Sequence, residues 1–185
     1  MDRKKLSEEL LKDLYLNLRS NLLKWSKLTN QTPQARMGYV GQHLTSIVTG
    51  YAGGKSGARG RDLIINKDEF GEIKTCYRID QLGVCISCQN QVASFELKCS
   101  ICNSNKIDRK DDSKWLITIK DEEELREIFK PKFYYLVLFE FVDFNIPKDI
   151  NVSIFKVNPN TPGFSLCMID YFFNIKSKSK SKAPF

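Results

Sequence analysis

Apolar side chains recur at about helical spacing at Leu6, Leu10, Leu14, Leu18, Leu22 and Trp25, with Ser7, Glu8 and Glu9 as a helix start, so the chain is predicted to open on an amphipathic helix. A second helix is predicted over 33–48, with Pro33 in its first turn and Thr32 as its cap. Periodicity stops at the glycine-rich stretch 50–60, which reads as a flexible basic loop. Two β-like runs follow at 61–66 and 71–79, joined by the polar turn Lys67-Asp68-Glu69, and together they predict a hairpin. Beyond a cysteine-rich interruption, 115–119 looks like a strand, and Asp121 with Glu124 has capping-box spacing ahead of a short helix ending before Pro131. Aromatic and β-branched residues mark further strands at 133–141 and 152–157, whereas 164–175 fits helix or strand. The segment 176–185 alternates lysine with serine, has no apolar face, and is expected to be a basic flexible tail.

This order predicts an α/β fold, a mixed sheet flanked by helices. A chain of 185 residues holds one domain, 1–175, with a small insertion at about 81–110. Hydrophobic content of 42%, with twelve Phe and seven Tyr, is enough to fill one core. No stretch approaches the roughly 20 apolar residues of a membrane helix, and the N-terminus lacks the apolar core of a signal peptide, so a cytoplasmic protein is expected. The net charge of +7 and pI near 9.1 favour a polyanionic partner, because Lys and Arg displace the counterions condensed on nucleic acid.

The hairpin carries the candidate chemistry. Strand alternation puts Glu72 and Lys74 on one face and Ile73 on the other. Asp62 joins them if the turn holds an odd number of residues; the turn 67–69 would set Asp62 opposite Lys74 and Ile64 opposite Glu72. Leu63, Ile65 and Ile73 then share the core-facing side. Two carboxylates can hold Mg²⁺, which activates water and neutralises charge on a phosphodiester, while the lysine ammonium orients the water or the phosphate. On spacing alone, these residues are more simply read as charges on a solvated hairpin.

A resemblance changes that balance. The run Gly60-Arg61-Asp62-Leu63-Ile64-Ile65 with Gly71-Glu72-Ile73-Lys74-Thr75 resembles the signature of the PD-(D/E)XK nuclease superfamily, with Arg61 standing where that superfamily has proline. More narrowly, GYVGQHLTSIVTGYAGG, GEIKTCYRIDQLG, RKDDSKWLI and FYYLVLFEF are similar to MamI-type Type II restriction endonucleases over most of residues 36–185. The resemblance implies a restriction-endonuclease-like fold, with Asp62 and Glu72 as Mg²⁺ ligands and Lys74 as the catalytic lysine. It also implies a double-stranded DNA substrate, a homodimer matched to a palindromic site, and a DNA methyltransferase of the same system as functional counterpart. Members of that family continue past the position matching Phe185, so the chain is read as a short form or as lacking part of the DNA-binding surface.

Cys85-Ile86-Ser87-Cys88 and Cys99-Ser100-Ile101-Cys102 form two C-x₂-C knuckles separated by ten residues. Their spacing predicts a zinc ribbon with a full four-thiolate shell, hence a structural ion, in preference to a redox pair. Lys98, Lys106, Arg109 and Lys110 beside it suggest DNA contact. Cys76 and Cys167 lack a partner knuckle and read as packed thiols.

The stretch from Gly50 to Ser56 has three residues where a phosphate-binding loop has four, and a strand follows instead of a helix, so ATP binding is not expected. Lys55, Arg59 and Arg61 are expected to track the DNA backbone, the glycines allowing close approach. Gln42, on the helix before the site, is a candidate support for the metal centre or a DNA contact, and His43 a weaker one. Asp111 and Asp112 are rival ligands whose position favours a turn or the start of a strand. Two alternatives remain beside the restriction enzyme: a non-catalytic zinc-ribbon DNA-binding protein, and a PD-(D/E)XK nuclease of DNA repair or recombination.

Overall fold

A computed structural model describes residues 2–33, 36–55, 61–109, 113–143, 146 and 148–176. The elements run α1 (Arg3–Leu11), a π-helical segment (Lys12–Asn17), α2 (Leu18–Thr29), α3 (Met37–Thr49), β1 (Ala52–Gly53), β2 (Leu63–Ile64), β3 (Phe70–Arg78), β4 (Gly83–Cys85), β5 (Gln91–Val92), β6 (Ile107–Arg109), α4 (Glu122–Glu127), β7 (Phe133–Phe141), β8 (Ile150–Val157), α5 (Pro162–Asp170) and a second π-helical segment (Tyr171–Lys176). A five-stranded sheet has the order β1-β2-β3-β7-β8, and a three-stranded sheet the order β5-β4-β6. The mixed α/β class expected from the sequence is observed. No helix among the described residues is long and apolar enough to cross a membrane.

The chain divides into two compact units. One comprises Met1–Val40, Cys76–Lys114 and Leu138–Ser153. Its first helix starts earlier than Ser7, because the Asp2 carboxylate accepts from the Lys4 and Lys5 N–H groups, while the Ser7 hydroxyl donates to the Arg3 carbonyl. The leucine stripe does not form the buried face. Leu14, Leu18 and Trp25 are 39%, 43% and 57% exposed, and the buried positions are Tyr15, Arg19 and Ser26. The π-helical turn at Lys12–Asn17 breaks the 3.6-residue phase of the stripe, and beyond it Arg19 is held inward by an ion pair: its Nε lies 3.1 Å from both Asp80 carboxylate oxygens and Nη2 2.5 Å from Oδ1, with the guanidinium 5.2 Å from the Phe141 ring centre. Burial pushes the Asp80 carboxyl up, against the pull of the Arg19 charge.

The other unit comprises Gly41–Thr75, Trp115–Val137 and Ile154–Phe185. Its core gathers Ile117, Ile119, Leu125, Ile128, Tyr134, Met168 and Phe172. Residues 115–119 keep the alternation of a strand in their burial but form no ladder. Trp115 bonds by its side chain instead, its indole N–H donating to the Val137 carbonyl at 2.9 Å. The predicted cap of α4 is present: Asp121 Oδ1 accepts from the Glu124 N–H at 2.8 Å, and the Glu124 carboxylate accepts in return from the Lys120 N–H. The ambiguous run 164–175 is helical, entered through Pro162 in the first turn.

Helix α3 begins at Met37, not at Pro33. Its buried face runs Met37, Val40, Gly41, Leu44 and Thr45, so helical burial starts there, while Pro33 is itself fully buried ahead of the helix. Part of the predicted loop is strand: Ala52 and Gly53 pair with Ile64 and Leu63. A Cβ on Gly54 would stand 1.7 Å from the Arg61 carbonyl oxygen, so the chain's own packing requires glycine there.

Candidate active site and metal-binding cluster

Strands β2 and β3 pair antiparallel with Leu63 opposite Gly71 and Ile64 opposite Phe70. The predicted register, Ile64 opposite Glu72, is therefore two residues off. Asn66 explains the difference: its Oδ1 accepts from the Asp68 and Glu69 N–H groups, and the Ile65 and Asn66 N–H groups both turn to the Glu69 carbonyl. The turn thus consumes 65–69 rather than 67–69. A slip of two preserves faces. Leu63 and Ile73 are buried as expected, Ile65 is only half-buried, and Asp62, Glu72 and Lys74 remain on the opposite side, all half-buried.

Asp62 is held by two donors. Gln42 Nε2, reaching from α3, donates to Oδ1 at 2.8 Å, and the Ile73 backbone N–H donates to Oδ2 at 2.8 Å. Glu72 Oε1 pairs with Lys74 Nζ at 2.9 Å. Burial raises the Glu72 pKa, the Lys74 charge opposes this, and the Asp62 charge adds to it. The buried Tyr134 hydroxyl is pushed up by burial and by the Glu72 charge, and it donates to the Ile128 carbonyl at 3.0 Å. A cleft of about 240 Å³ opens on Glu72 and Lys74, with Tyr134, Thr118, Glu124 and Glu127 among its walls. Glu124 and Glu127 are already paired with Lys120 and Lys130. The arrangement sets two half-buried carboxylates beside one ammonium, and Asp62 and Glu72 are the groups here that could hold a cation.

Of the expected DNA contacts, Lys55 and Arg61 are exposed, Arg61 stacking 5.5 Å from the Phe70 ring centre. Arg59, Lys110, Asp111, Asp112 and the tail 177–185 lie outside the described residues. His43 is exposed on α3. Arg109 does not face outward for DNA. Its Nη1 donates to the Gln81 and Ala93 carbonyls at 3.0 and 2.9 Å, and its Nη2 donates to the Glu96 carbonyl, so the guanidinium is occupied in tying the insertion together. Lys98 and Lys106 are exposed. Cys76 is packed as expected, but Cys167 is exposed on α5.

The four knuckle cysteines come together. Their Sγ atoms all lie within 4.8 Å of one another, and among the described residues this is the group of three or more ligand side chains that could hold a metal ion. Cys85 Sγ is 3.4 Å from Cys102 Sγ, and Cys88 Sγ 3.5 Å from Cys99 Sγ. A tetrahedral zinc site with bonds near 2.3 Å has sulfur–sulfur edges of about 3.8 Å, so these residues fit such an ion. The knuckles repeat one backbone design. Gln89 N–H returns to the Cys85 carbonyl and Asn103 N–H to the Cys99 carbonyl, with both Gln89 and Asn103 at positive φ, 59° and 57°. Burial pushes the Cys85 thiol up, but backbone N–H donors from Cys88 and Ser87 and the Cys102 thiol bring it down to about 6, and Cys99 is lowered chiefly by the Cys102 N–H. The insertion's apolar core is small, Cys85, Val92 and Cys99 with Ile107 against them.

The sequence reading did not anticipate the Arg19–Asp80 pair, the cleft walls on α4, or the contact between Gly41 and Thr75. For the last, the signal was present as a glycine adjoining Gln42 on the buried face of a helix.

The model of the MamI restriction endonuclease family matches residues 24–184, nearly the whole chain. No curated protein and no solved structure matches it. With the acidic pair, its lysine and the four-cysteine cluster all inside the matched span, the chain belongs to the MamI restriction endonuclease family, whose members are DNA nucleases.

Proposed function

We propose that the protein is a Type II restriction endonuclease that hydrolyses phosphodiester bonds of double-stranded DNA at a specific, palindromic sequence. Its cutting centre is Asp62, Glu72 and Lys74 on a restriction-endonuclease-like sheet. One observation carries the reading: in a chain of this family, the Asp62 carboxylate is fixed by Gln42 and the Ile73 N–H beside the Glu72–Lys74 pair.

Asp62 and Glu72 would hold Mg²⁺, an ion that retains several waters and so suits a site with only two carboxylates. When bound, it would supply a lowered water pKa and neutralise charge on the phosphate. Gln42 and the Ile73 N–H keep the Asp62 carboxylate from rotating. Lys74 opposes the effect of burial on Glu72 and presents its ammonium to the phosphate or the attacking water. Lys55, Arg59 and Arg61 fit contacts to the sugar–phosphate backbone. The cysteine cluster fits structural zinc, because four thiolates leave no open position for water. Two copies on a two-fold symmetric site would cut one strand each.

The test compares wild type with Asp62→Asn and Glu72→Gln, measuring cutting with Mg²⁺ and duplex binding with Ca²⁺. Both variants should bind DNA and fail to cut. Cutting that persists in either variant removes that carboxylate from the reaction.

A further inference from the structure

Gln42 reaches Asp62 from α3, and the residue before it packs against the end of the Glu72–Lys74 segment of β3. Gly41 is buried and directly precedes Gln42. A Cβ built on Gly41 would stand 2.3 Å from Thr75 Oγ1 and 3.3 Å from both Thr75 Cβ and Cγ2. Thr75 directly follows Lys74, and its Oγ1 is buried with no hydrogen-bond partner. A hydroxyl enclosed without a partner is unfavourable, so the contact is not one that hydrogen bonding maintains. From the helix side, Thr45 Oγ1 donates to the Gly41 carbonyl at 2.7 Å and is fully buried, which fixes this turn of α3.

We propose that Gly41 is a positioning residue: its missing side chain lets α3 settle against Thr75, and this depth places the Gln42 amide on Asp62. Adding one methyl group at Gly41 leaves about 1.1 Å to be made up before contact with Thr75 Oγ1 is ordinary at 3.4 Å, and because Thr75 Cβ and Cγ2 also stand at 3.3 Å, turning the hydroxyl away does not open the space and α3 backs off. A displacement of that size takes the 2.8 Å Gln42–Asp62 bond beyond useful hydrogen-bond range. Asp62 Oδ1 then loses its donor while Oδ2 keeps the Ile73 N–H, and the carboxylate is free to turn. The structural effect stands on geometry alone; its consequence for cutting rests on the nuclease reading above.

The experiment follows the Gln42 side-chain amide resonances by NMR in the full chain, together with cleavage rates, for Gly41→Ala, Thr75→Ala and the double variant. Gly41→Ala should move the Gln42 resonances toward those of a free amide and slow cutting about 10²-fold, the scale of a 1 Å misplacement. Thr75→Ala, which only removes the stop, should slow cutting by less than about tenfold. The double variant should return to the Thr75→Ala level in both readouts. The proposal is overturned if Gly41→Ala leaves the Gln42 resonances in place, if Thr75→Ala alone is as damaging as Gly41→Ala, or if the double variant shows no recovery. Should Gly41→Ala fail to fold, a folded double variant with restored Gln42 resonances supports the spacer, and two unfolded variants overturn it. A wild type that cuts no DNA but shows the predicted resonance shifts removes the nuclease reading and leaves the positioning role standing.

Discussion

Replacing Lys74 by alanine separates chemistry from folding, and the structure sets both magnitudes. Lys74 Nζ makes a 2.9 Å ion pair with Glu72, the two side chains being 28% and 20% exposed. A half-buried pair, whose attraction is offset by the cost of desolvating both groups, contributes on the order of 1 kcal/mol to stability. For a chain of this size that is a fall in Tm of about 2–4 °C. In the reaction the ammonium would act on charge that develops only in the transition state, where removing one such donor costs about 10²–10³ in rate. Lys74→Ala should therefore lose at least about 10²-fold in kcat with Mg²⁺, melt within a few degrees of wild type, and bind duplex DNA as tightly in Ca²⁺. Single-turnover cleavage, thermal melting and a binding titration measure the three quantities. Cleavage within about threefold of wild type would refute the role given to Lys74, and an equal collapse of rate and Tm would make it a structural residue.

Elemental analysis should find one zinc per chain, and Cys88→Ser should release it and raise hydrogen exchange over 83–109 while leaving the 117–137 segment protected; a zinc-free wild type contradicts the ribbon. Asp80→Ala leaves the Arg19 guanidinium buried without its partner and should cost about 3–5 kcal/mol, a fall in Tm of more than about 6 °C, which thermal melting reads directly. Arg109→Lys keeps the charge but not the three-carbonyl fork, so it should destabilise the insertion without changing the salt dependence of DNA binding; a reduced salt slope would return Arg109 to the DNA surface.

What the sequence revealed and concealed follows from the physics of each element. Alternation fixes which face a strand residue occupies, so Glu72 and Lys74 could be placed together before any register was known, and Asp62 joined them on the condition of an odd turn, which the five residues 65–69 meet. Alternation is blind to a slip of two, and the slip came from Asn66, whose side chain closes a wider turn than the run of charged residues suggested. The paired C-x₂-C spacing was legible because a knuckle is local, closed by backbone bonds within five residues of each cysteine. The opening helix misled for the opposite reason: a π-helical turn at 12–17 breaks the helical phase and the distant Asp80 pairs with Arg19, so Tyr15 and Arg19 are buried while Leu14 and Leu18 lie outside. Arg109 read as surface charge because its three carbonyl partners belong to backbone that has no residue-type signature. Strand 133–141 matched the structure because it is a long, strongly aromatic and apolar run. The 115–119 run had the same alternation but no strand ladder, which depends on neighbours that a local pattern does not contain.

We propose that Asp62, Glu72 and Lys74 cut DNA at a defined sequence. The most direct measurement is digestion of a plasmid of known sequence with the purified chain and Mg²⁺, followed by sequencing of the cut ends. Discrete fragments whose ends share one two-fold symmetric sequence, absent with EDTA and absent for Asp62→Asn, are the predicted result. Tight duplex binding without any Mg²⁺-dependent cutting by wild type would contradict the account, and cutting without a shared sequence would contradict its specificity.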